Sequence, residues 1–231
     1  MLVIGYKRGE YDCYVYSRTF DDGHMIILIL YVDDMLIACR DMSKINELKG
    51  ILNFEFDMKD LGTVKKILGI EIKRDQENWR LYRSQDKYIE KGLEKFNMVN
   101  VKPVSTPLAS HFNLSAKKSP STKAKLEEMK KIPYASAVEC LIYVIVCTRP
   151  DLTQALSVVS KYMSNPDINH WQAVKWILRY LKGTRNKGIM FERQHGDVCI
   201  TGFIDSDYAG DLDKRRFTTG YVLTCDGGPL S

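Results

Sequence analysis

The chain has 231 residues, of which 45% are hydrophobic and 27% charged, and a formal net charge of +5. This composition excludes a largely disordered chain, and the apolar runs are too short for a membrane span or a secretory signal, so we expect an intracellular protein, cytoplasmic or nuclear. The mild positive charge is compatible with a nucleic-acid partner, and the six dispersed cysteines have neither metal-ligand nor redox spacing, which predicts free, buried thiols.

Two adjacent acidic residues interrupt an apolar stretch near the N-terminus. Residues 12–16 and 25–39 predict strands of an antiparallel sheet, with Asp33 and Asp34 at a tight turn between two buried strands. Carboxylates held in an apolar environment repel each other and lose water unless a cation compensates them. Mg²⁺ binds one or two carboxylates together with substrate phosphates, so the pair indicates phosphoryl transfer, and an ordinary hairpin turn is the alternative.

Helical and strand patterns alternate through the following residues. A helix is predicted over 43–55, with Ser43 as its N-cap, then a hairpin from strands 66–74 and 79–83, then a helix over 85–97. This order predicts an α+β fold in which helices lie against one side of a sheet.

The composition changes after residue 100. Residues 101–125 combine proline with serine, threonine and lysine, which predicts a linker or a long exposed loop. Two apolar helical stripes follow, one after Pro150 and one over 171–181. Strands are then predicted at 187–193, 198–205 and 217–224.

The second of these helices also carries positive charge at helical spacing. Lys175, Arg179 and Lys182 recur at i, i+4 and i+7, so they form a ridge that could follow a phosphate backbone. A solvated helix face is the alternative.

The motifs resemble the copia-type long-terminal-repeat retrotransposon Pol polyprotein. The turn belongs to YVDDMLIA at 31–38, which resembles the reverse-transcriptase palm signature of this family. Further segments match the same polyprotein in the same order: MKDLGTVKKILGIEI (58–72), RSQDKYIEKGLEKFNM (83–98), VKPVSTPL (101–108), YASAVECLIYVIVCTRPDLTQALSVVSKYMSNP (134–166), HWQAVKWILRYLKGT (170–184) and GFIDSDYAGDLDKRRFTTGYVL (202–223).

The resemblance implies a partial reverse-transcriptase palm and thumb-connection region followed by an incomplete ribonuclease H-like domain. Its expected parts are a partial palm with the region after it, a linker or long loop, a helical connection segment and a truncated ribonuclease H-like domain, at 1–100, 101–130, 131–186 and 187–231. It implies an RNA template with a DNA primer, or an RNA–DNA hybrid, as partners.

The same resemblance assigns roles to individual residues. It implies that Asp33 and Asp34 are catalytic ligands of Mg²⁺ or Mn²⁺, and that Asp205 is the first carboxylate of a two-metal site that hydrolyses an RNA strand. Tyr31 joins the three basic helix residues as a candidate nucleic-acid contact. The resemblance assigns no role to Asp207, which is a sequence neighbour of Asp205. Asp211 and Asp213 follow in the same polar loop.

The departures from the family lead to three hypotheses. The family polymerase uses a third carboxylate from an upstream motif, and its ribonuclease H uses a later glutamate, and neither has a counterpart here. We therefore expect a Pol fragment truncated at both ends, with little or no activity alone. Unpaired backbone and exposed apolar surface should make it poorly soluble or leave its C-terminal third partly disordered, which strong hydrogen-exchange protection over 198–224 would contradict. The alternatives are an active reverse transcriptase completed by upstream sequence or a partner chain, and a non-enzymatic domesticated interaction or effector protein.

Overall fold

A computed structural model describes residues 4–193, 199–207, 213, 218–225 and 228–229. The chain divides into two compact units, Met1–Ile67 and Leu68–Ser231, and both contain helices and strands, as an α+β composition requires. Among the described helices, none combines the length and the apolar composition that crossing a membrane requires. The four-part domain division expected from the sequence stays a prediction.

The first unit is an antiparallel sheet with one long helix. The sheet has the order β1-β2-β3-β4, and its turn between β2 and β3 contains Gly23 at φ +78°, a backbone conformation that favours glycine. The elements are β1 (Lys7–Arg8), β2 (Val15–Thr19), β3 (Met25–Tyr31), β4 (Asp34–Ala38), α1 (Met42–Glu55) and the short strand β5 (Lys66–Ile67).

Within residues 4–67, only one face of this sheet is covered. Along β3, Ile26 and Leu28 are fully buried, whereas Met25 and Ile29 are exposed, because successive residues of a strand point to opposite faces. The buried face packs against α1 residues in a small core that includes Ile26, Tyr6, Leu48 and Leu52. The prediction of two buried strands is therefore wrong: β3 is buried on one face and β4 is only partly buried, since the one described helix of this unit covers a single face.

The start of α1 also differs from the prediction. Ser43 lies inside the helix, and the N-cap is Asp41, whose Oδ1 accepts a hydrogen bond of 2.8 Å from the Ser43 backbone N–H. Aspartate and serine are both strong N-caps, and here the structure uses the residue two positions earlier.

The second unit contains a helical body with one large apolar core. Ile89, Leu141, Leu152, Ile177 and Leu178 lie in this core, each almost completely buried. The helices are α2 (Asp86–Lys95), α3 (Lys123–Lys130), α4 (Tyr134–Cys147), α5 (Thr153–Ser160) and α6 (Ile168–Gly183), with short 3₁₀ helices at Ala116–Lys118 and Pro150–Leu152. Helix α3 falls inside the range 101–130 that was expected to be a linker or long loop, and Leu114 before it is buried in the core.

Two further sheets belong to the second unit. Strands β6 (Ile70–Asp75), β7 (Arg80–Ser84) and β8 (Ile189–Glu192) are antiparallel neighbours, and so are β9 (Ile200–Asp207), β10 (Thr218–Cys225) and β11 (Gly228–Pro229). Adjacent residues of β9 face opposite sides, yet Phe203 is 61% and Ile204 81% exposed. Apolar surface is therefore open on both faces of β9, and the poor solubility expected from such surface stays a prediction.

The cysteines are free, as predicted, but they are not uniformly buried. Cys13 and Cys199 are exposed, and the other four are partly buried. Cys13 lies in the loop before β2, and Cys199 immediately precedes β9.

Candidate active site

The turn between β3 and β4 has the geometry of a tight two-residue hairpin. Tyr31 and Asp34 are cross-strand partners, so Val32 and Asp33 are the central residues of the turn. Of these two described residues only Val32 has a positive φ, +52°, as at the first central position of a type II′ turn. Glycine is usual at that position, and a β-branched residue with positive φ is an outlier. The turn therefore holds strain beside its carboxylates.

Asp33 and Asp34 lie together at this hairpin end, but both side chains are exposed. Burial therefore does not force a cation onto the pair, contrary to the prediction, because water solvates these carboxylates. They lie at the tip of the hairpin, where Asp34 pairs with Tyr31 at the last register position of β3 and β4. Solvent access also leaves both carboxylates free to bind a hydrated cation or a substrate-bound metal.

The donor set fits Mg²⁺ or Mn²⁺. Two consecutive carboxylates supply hard oxygen ligands, and such ions commonly take one or two carboxylates and complete their shell with water and phosphate oxygens. In the described part of the chain, no group of three or more histidine, cysteine, aspartate or glutamate side chains is placed to hold a metal. Asp33 and Asp34 would therefore be two ligands of a site that other groups complete.

Tyr31 lies next to the turn and is half-exposed. Its ring lies 6.4 Å from the ring of Tyr14, with an angle of 55° between the planes. Tyr14 precedes β2, and sequence reasoning did not single it out. The signal that could have found it is the antiparallel pairing of β2 with β3, which places the start of one strand beside the end of the other.

The three basic residues of α6 are partly buried, and two of them bind backbone carbonyls. The Nε atom of Arg179 donates to the Lys102 carbonyl at 2.7 Å, and Nζ of Lys182 donates to the Val101 carbonyl at 2.7 Å. These bonds attach the segment after α2 to α6. Phosphate binding by Lys175, Arg179 and Lys182 stays a prediction, and for two of them it competes with this structural role.

Asp205 lies in the second unit, within β9 opposite Gly220 of β10, and it is exposed. Asp207 ends the same strand, and Asp211 lies outside the described residues. The Asp213 carboxylate accepts hydrogen bonds from the Ser115 hydroxyl at 2.6 Å and from the Tyr162 hydroxyl at 3.0 Å, so this side chain is bound to the helical body.

The helical body contains buried polar groups that the sequence motifs did not reveal. Arg149 is 2% exposed and donates to both oxygens of Asp151 and to the Thr184 carbonyl and hydroxyl. Burial raises the pKa of Asp151, but the hydrogen bonds and charge of Arg149 outweigh it and leave that pKa below its ordinary value. This network joins the end of α4 to the end of α6 and is structural.

The sequence around the exposed carboxylate pair matches one class of protein, the reverse transcriptases. A family model described as reverse transcriptase (RNA-dependent DNA polymerase) matches residues 2–110, a range that includes the turn. The Pol polyprotein from transposon TNT 1-94 of Nicotiana tabacum is 50% identical over 226 residues, which are 98% of this chain and 17% of that polyprotein.

Two shorter relatives are also similar. A Saccharomyces cerevisiae protein named for transposon Ty5-1 is 30% identical over 228 residues, which cover 99% of this chain and 71% of that protein. Secreted RxLR effector protein 161 of Plasmopara viticola is 46% identical over 103 residues, which cover 45% of this chain and 72% of that protein. No solved structure matches.

The chain belongs to the copia-type retrotransposon Pol family, as its motifs predicted. It spans about a sixth of the tobacco Pol polyprotein, 17% of its length. Asp33 and Asp34 fall within the reverse-transcriptase match, whereas Asp205 and the basic residues of α6 fall outside it.

Proposed function

We propose that this chain contributes the Asp33–Asp34 turn of the polymerase site that makes DNA on an RNA template within a retrotransposon Pol polyprotein. The observation that carries the proposal is a strained, solvent-open turn with consecutive carboxylates inside the segment that matches the reverse-transcriptase family. Strained backbone at such a position is often kept because it orients functional groups.

The carboxylates would hold Mg²⁺ or Mn²⁺ in the working enzyme. When bound, the ion would neutralise the charge that develops on the nucleotide phosphates during transfer. Asp33 and Asp34 supply two anionic ligands from one rigid turn, and Tyr31 would contact the nucleic-acid strand next to them. The ordered hairpin fixes the spacing of these groups before any substrate binds.

Polymerase activity of this chain alone should be low. A metal held only by two exposed carboxylates binds weakly, and the remaining groups that position template, primer and nucleotide would come from other parts of the polyprotein. We extend the proposal to Asp205 as the first metal ligand of a ribonuclease H-like domain, and to Lys175 and the exposed part of Arg179 and Lys182 as contacts with the nucleic-acid backbone.

A second candidate is a non-enzymatic effector or interaction protein. The observation that favours it is the similarity to a protein named as a secreted RxLR effector, which shares 46% identity over 103 residues. Under this function the Asp33–Asp34 carboxylates would be dispensable, which makes the two candidates separable by one substitution.

A primer-extension assay with Mg²⁺, an RNA template and a DNA primer tests the proposal. The chain is assayed alone and in place of the matching segment of the tobacco polyprotein. We expect little extension by the chain alone, and extension by the chimera that Asp33→Asn lowers by more than about 100-fold, as loss of a positioned catalytic group does.

Asp21→Asn is the matched control, since Asp21 and Asp22 form another exposed acidic pair, in the turn between β2 and β3. It should leave extension by the chimera unchanged. If the chain alone extends the primer efficiently and Asp33→Asn abolishes this extension, the expectation of low activity is overturned. Equal extension by the Asp33→Asn and unsubstituted chimeras would overturn the metal-binding role and favour the effector.

A further inference from the structure

The end of β1, the start of β2 and the Asp33–Asp34 turn lie at the same end of the sheet in the first unit. Strand register places them there, because β1 ends at Arg8 opposite Tyr16, and β2 begins at Val15 opposite Ile29. The loop that joins these strands, residues 9–14, therefore lies at the same end of the sheet as the turn. A cation, an aromatic pair and the two carboxylates of the turn lie within a few strand positions, and the loop adds the carboxylates of Glu10 and Asp12.

The aromatic pair is exposed although it is held in place. Tyr14 is 55% and Tyr31 50% exposed. The Tyr14 carbonyl accepts a hydrogen bond of 2.9 Å from the Leu30 N–H, and the Tyr14 N–H donates at 2.9 Å to Asp12 Oδ1. The backbone is thus fixed on both sides of the residue while the ring stays open to solvent. Two adjacent tyrosine rings in this state suit the stacking of a nucleobase, as on single-strand binding proteins.

Arg8 supplies the charge next to this pair. Its Nε atom donates to the carbonyl of Cys13 at 2.8 Å, which ties the guanidinium to the residue before Tyr14. Within residues 4–193, no carboxylate forms an ion pair with Arg8. The remaining N–H groups of this exposed side chain suit a phosphate, which guanidinium binds in a planar, bidentate way.

We propose that Tyr14 and Tyr31 stack on an unpaired base of a single nucleic-acid strand at the Asp33–Asp34 turn, while Arg8 binds the adjoining phosphate. The inference deepens the proposed polymerase function and rests on it for the identity of the ligand. It assigns a substrate-positioning role to Tyr14 and Arg8, which lie outside the YVDD motif. The carboxylates repel phosphate, so the aromatic pair and Arg8 would supply the attraction that the turn itself lacks.

Fluorescence anisotropy of the full chain with labelled single-stranded DNA tests this inference. One probe is a thymidine dodecamer, and the other has the same length and charge but abasic sites at its centre. Tyr14→Leu should weaken binding of the thymidine probe by about tenfold, since one stacked base contributes on that order. It should change binding of the abasic probe by less than about twofold, because the phosphates are the same.

Tyr11→Leu is the matched control, because Tyr11 belongs to the same loop and is fully exposed, with no ring partner among the described residues. This variant should bind both probes like the unsubstituted chain. Tyr14→Phe keeps the ring and should retain the preference for the thymidine probe, and its retention shows that the loop is intact. Arg8→Gln should lower the salt dependence of binding to both probes by about one phosphate contact.

The stacking role would be overturned if Tyr14→Leu weakened the binding of both probes equally, or if Tyr14→Leu and Tyr11→Leu bound the probes with the same affinities. Failure of the unsubstituted chain to prefer the thymidine probe would do the same. The primer-extension assay reports separately on the proposed function. If Asp33→Asn abolishes extension while Tyr14→Leu leaves probe binding unchanged, the stacking role of the aromatic pair is excluded. The proposed polymerase function is not affected by that outcome.

Discussion

The two units of this protein differ in how their elements are covered. In the first unit, one helix covers one face of a four-stranded sheet, and the core includes Tyr6, Ile26, Leu48 and Leu52. In the second, apolar side chains from α2, α4, α5 and α6 form a larger shared core. The candidate polymerase turn lies in the thinly packed unit, so substitutions there should change function more than stability.

Polar interactions follow the same division. In the first unit, the ion pairs are at the surface, as between Lys49 and Asp60 at 2.9 Å. In the second, Arg149, Gln85 and His170 are buried, and the Thr148 hydroxyl donates to Gln85 Oε1 at 2.7 Å. Surface ion pairs contribute little to stability, whereas buried polar groups are costly to disturb. The helical body should therefore control the stability of its unit.

The largest effect is expected from Leu141→Ala in α4. Leu141 is fully buried in the helical core, and removing such a side chain costs about 2–5 kcal/mol of unfolding free energy through lost burial and a residual cavity. Urea unfolding followed by tryptophan fluorescence measures it selectively, because Trp79, Trp171 and Trp176 all belong to the second unit.

The neighbouring substitution Ile142→Ala is the control for this measurement. Ile142 is 39% exposed on the same helix, so its truncation should cost much less than that of Leu141. Similar midpoint shifts for the two variants would show that the helical core is not packed as described.

The next effect is expected from acid and centres on His170. Burial lowers the pKa of this imidazole, although Asp167 and Asp213 favour its charged form and Lys118 opposes it. The ring is fully buried, and Nδ1 accepts the Asp167 N–H at 2.9 Å, which the neutral ring does within a capping box at the start of α6.

The sign follows from proton binding. The unfolded chain protonates this group near its ordinary pKa of about 6.5, whereas the folded chain does so only at lower pH. The free energy of unfolding should therefore fall as the pH drops below about 6.5, by at most about 1.4 kcal/mol per pH unit for one proton. Urea titrations between pH 7.5 and 5 measure this slope through tryptophan fluorescence. His170→Gln should remove it and His24→Gln, in the first unit, should not; an unchanged slope in His170→Gln would contradict the assignment.

Local patterns predicted most secondary elements to within a few residues. The β3–β4 hairpin, the helices α1, α2 and α6 and the strands β8 to β10 all follow periodicities that neighbouring residues define. Burial was predicted less well. The run from Ile26 to Tyr31 is apolar on both faces, so it resembles a doubly covered strand, although the first unit covers only one face.

Site residues were predictable only where one motif contains them. Asp33, Asp34 and Tyr31 are consecutive or nearly so, and the structure places them together. Helical spacing placed Arg179 and Lys182 on one ridge. It could not reveal that these side chains bind backbone carbonyls 77 and 81 residues earlier in the chain. Tyr14 was missed because its contact with Tyr31 depends on strand register.

A smaller effect, of opposite sign, is expected from Val32→Gly in the turn. A left-handed conformation costs a non-glycine residue about 1–2 kcal/mol, and glycine returns about 0.5–1 kcal/mol of this through its greater entropy in the unfolded chain. The hairpin should therefore gain less than about 1 kcal/mol. Hydrogen exchange of the β3–β4 amides measures this gain in the unit that lacks tryptophan.

Val32→Ala provides the control for the turn. It removes the branched side chain but keeps Cβ, so its gain should be smaller than that of glycine. Slower exchange in Val32→Gly together with weaker primer extension by the chimera would show that the strain serves catalysis. Faster exchange in Val32→Gly than in the unsubstituted chain would mean that Val32 is not strained.

The last comparison is between the two faces of one strand. Ile26→Val removes a methylene from the covered face and should cost about 0.5–1.5 kcal/mol, whereas Ile29→Val, at 37% exposure on the open face, should stay within about 0.5 kcal/mol. Exchange of the β2–β3 amides reports both values on the same hydrogen bonds. If the two variants lose equal protection, a layer must cover the open face of the sheet in solution. The Asp33–Asp34 turn would then lie at the edge of an interface, and the single-strand probes would have to compete with that layer for Tyr31.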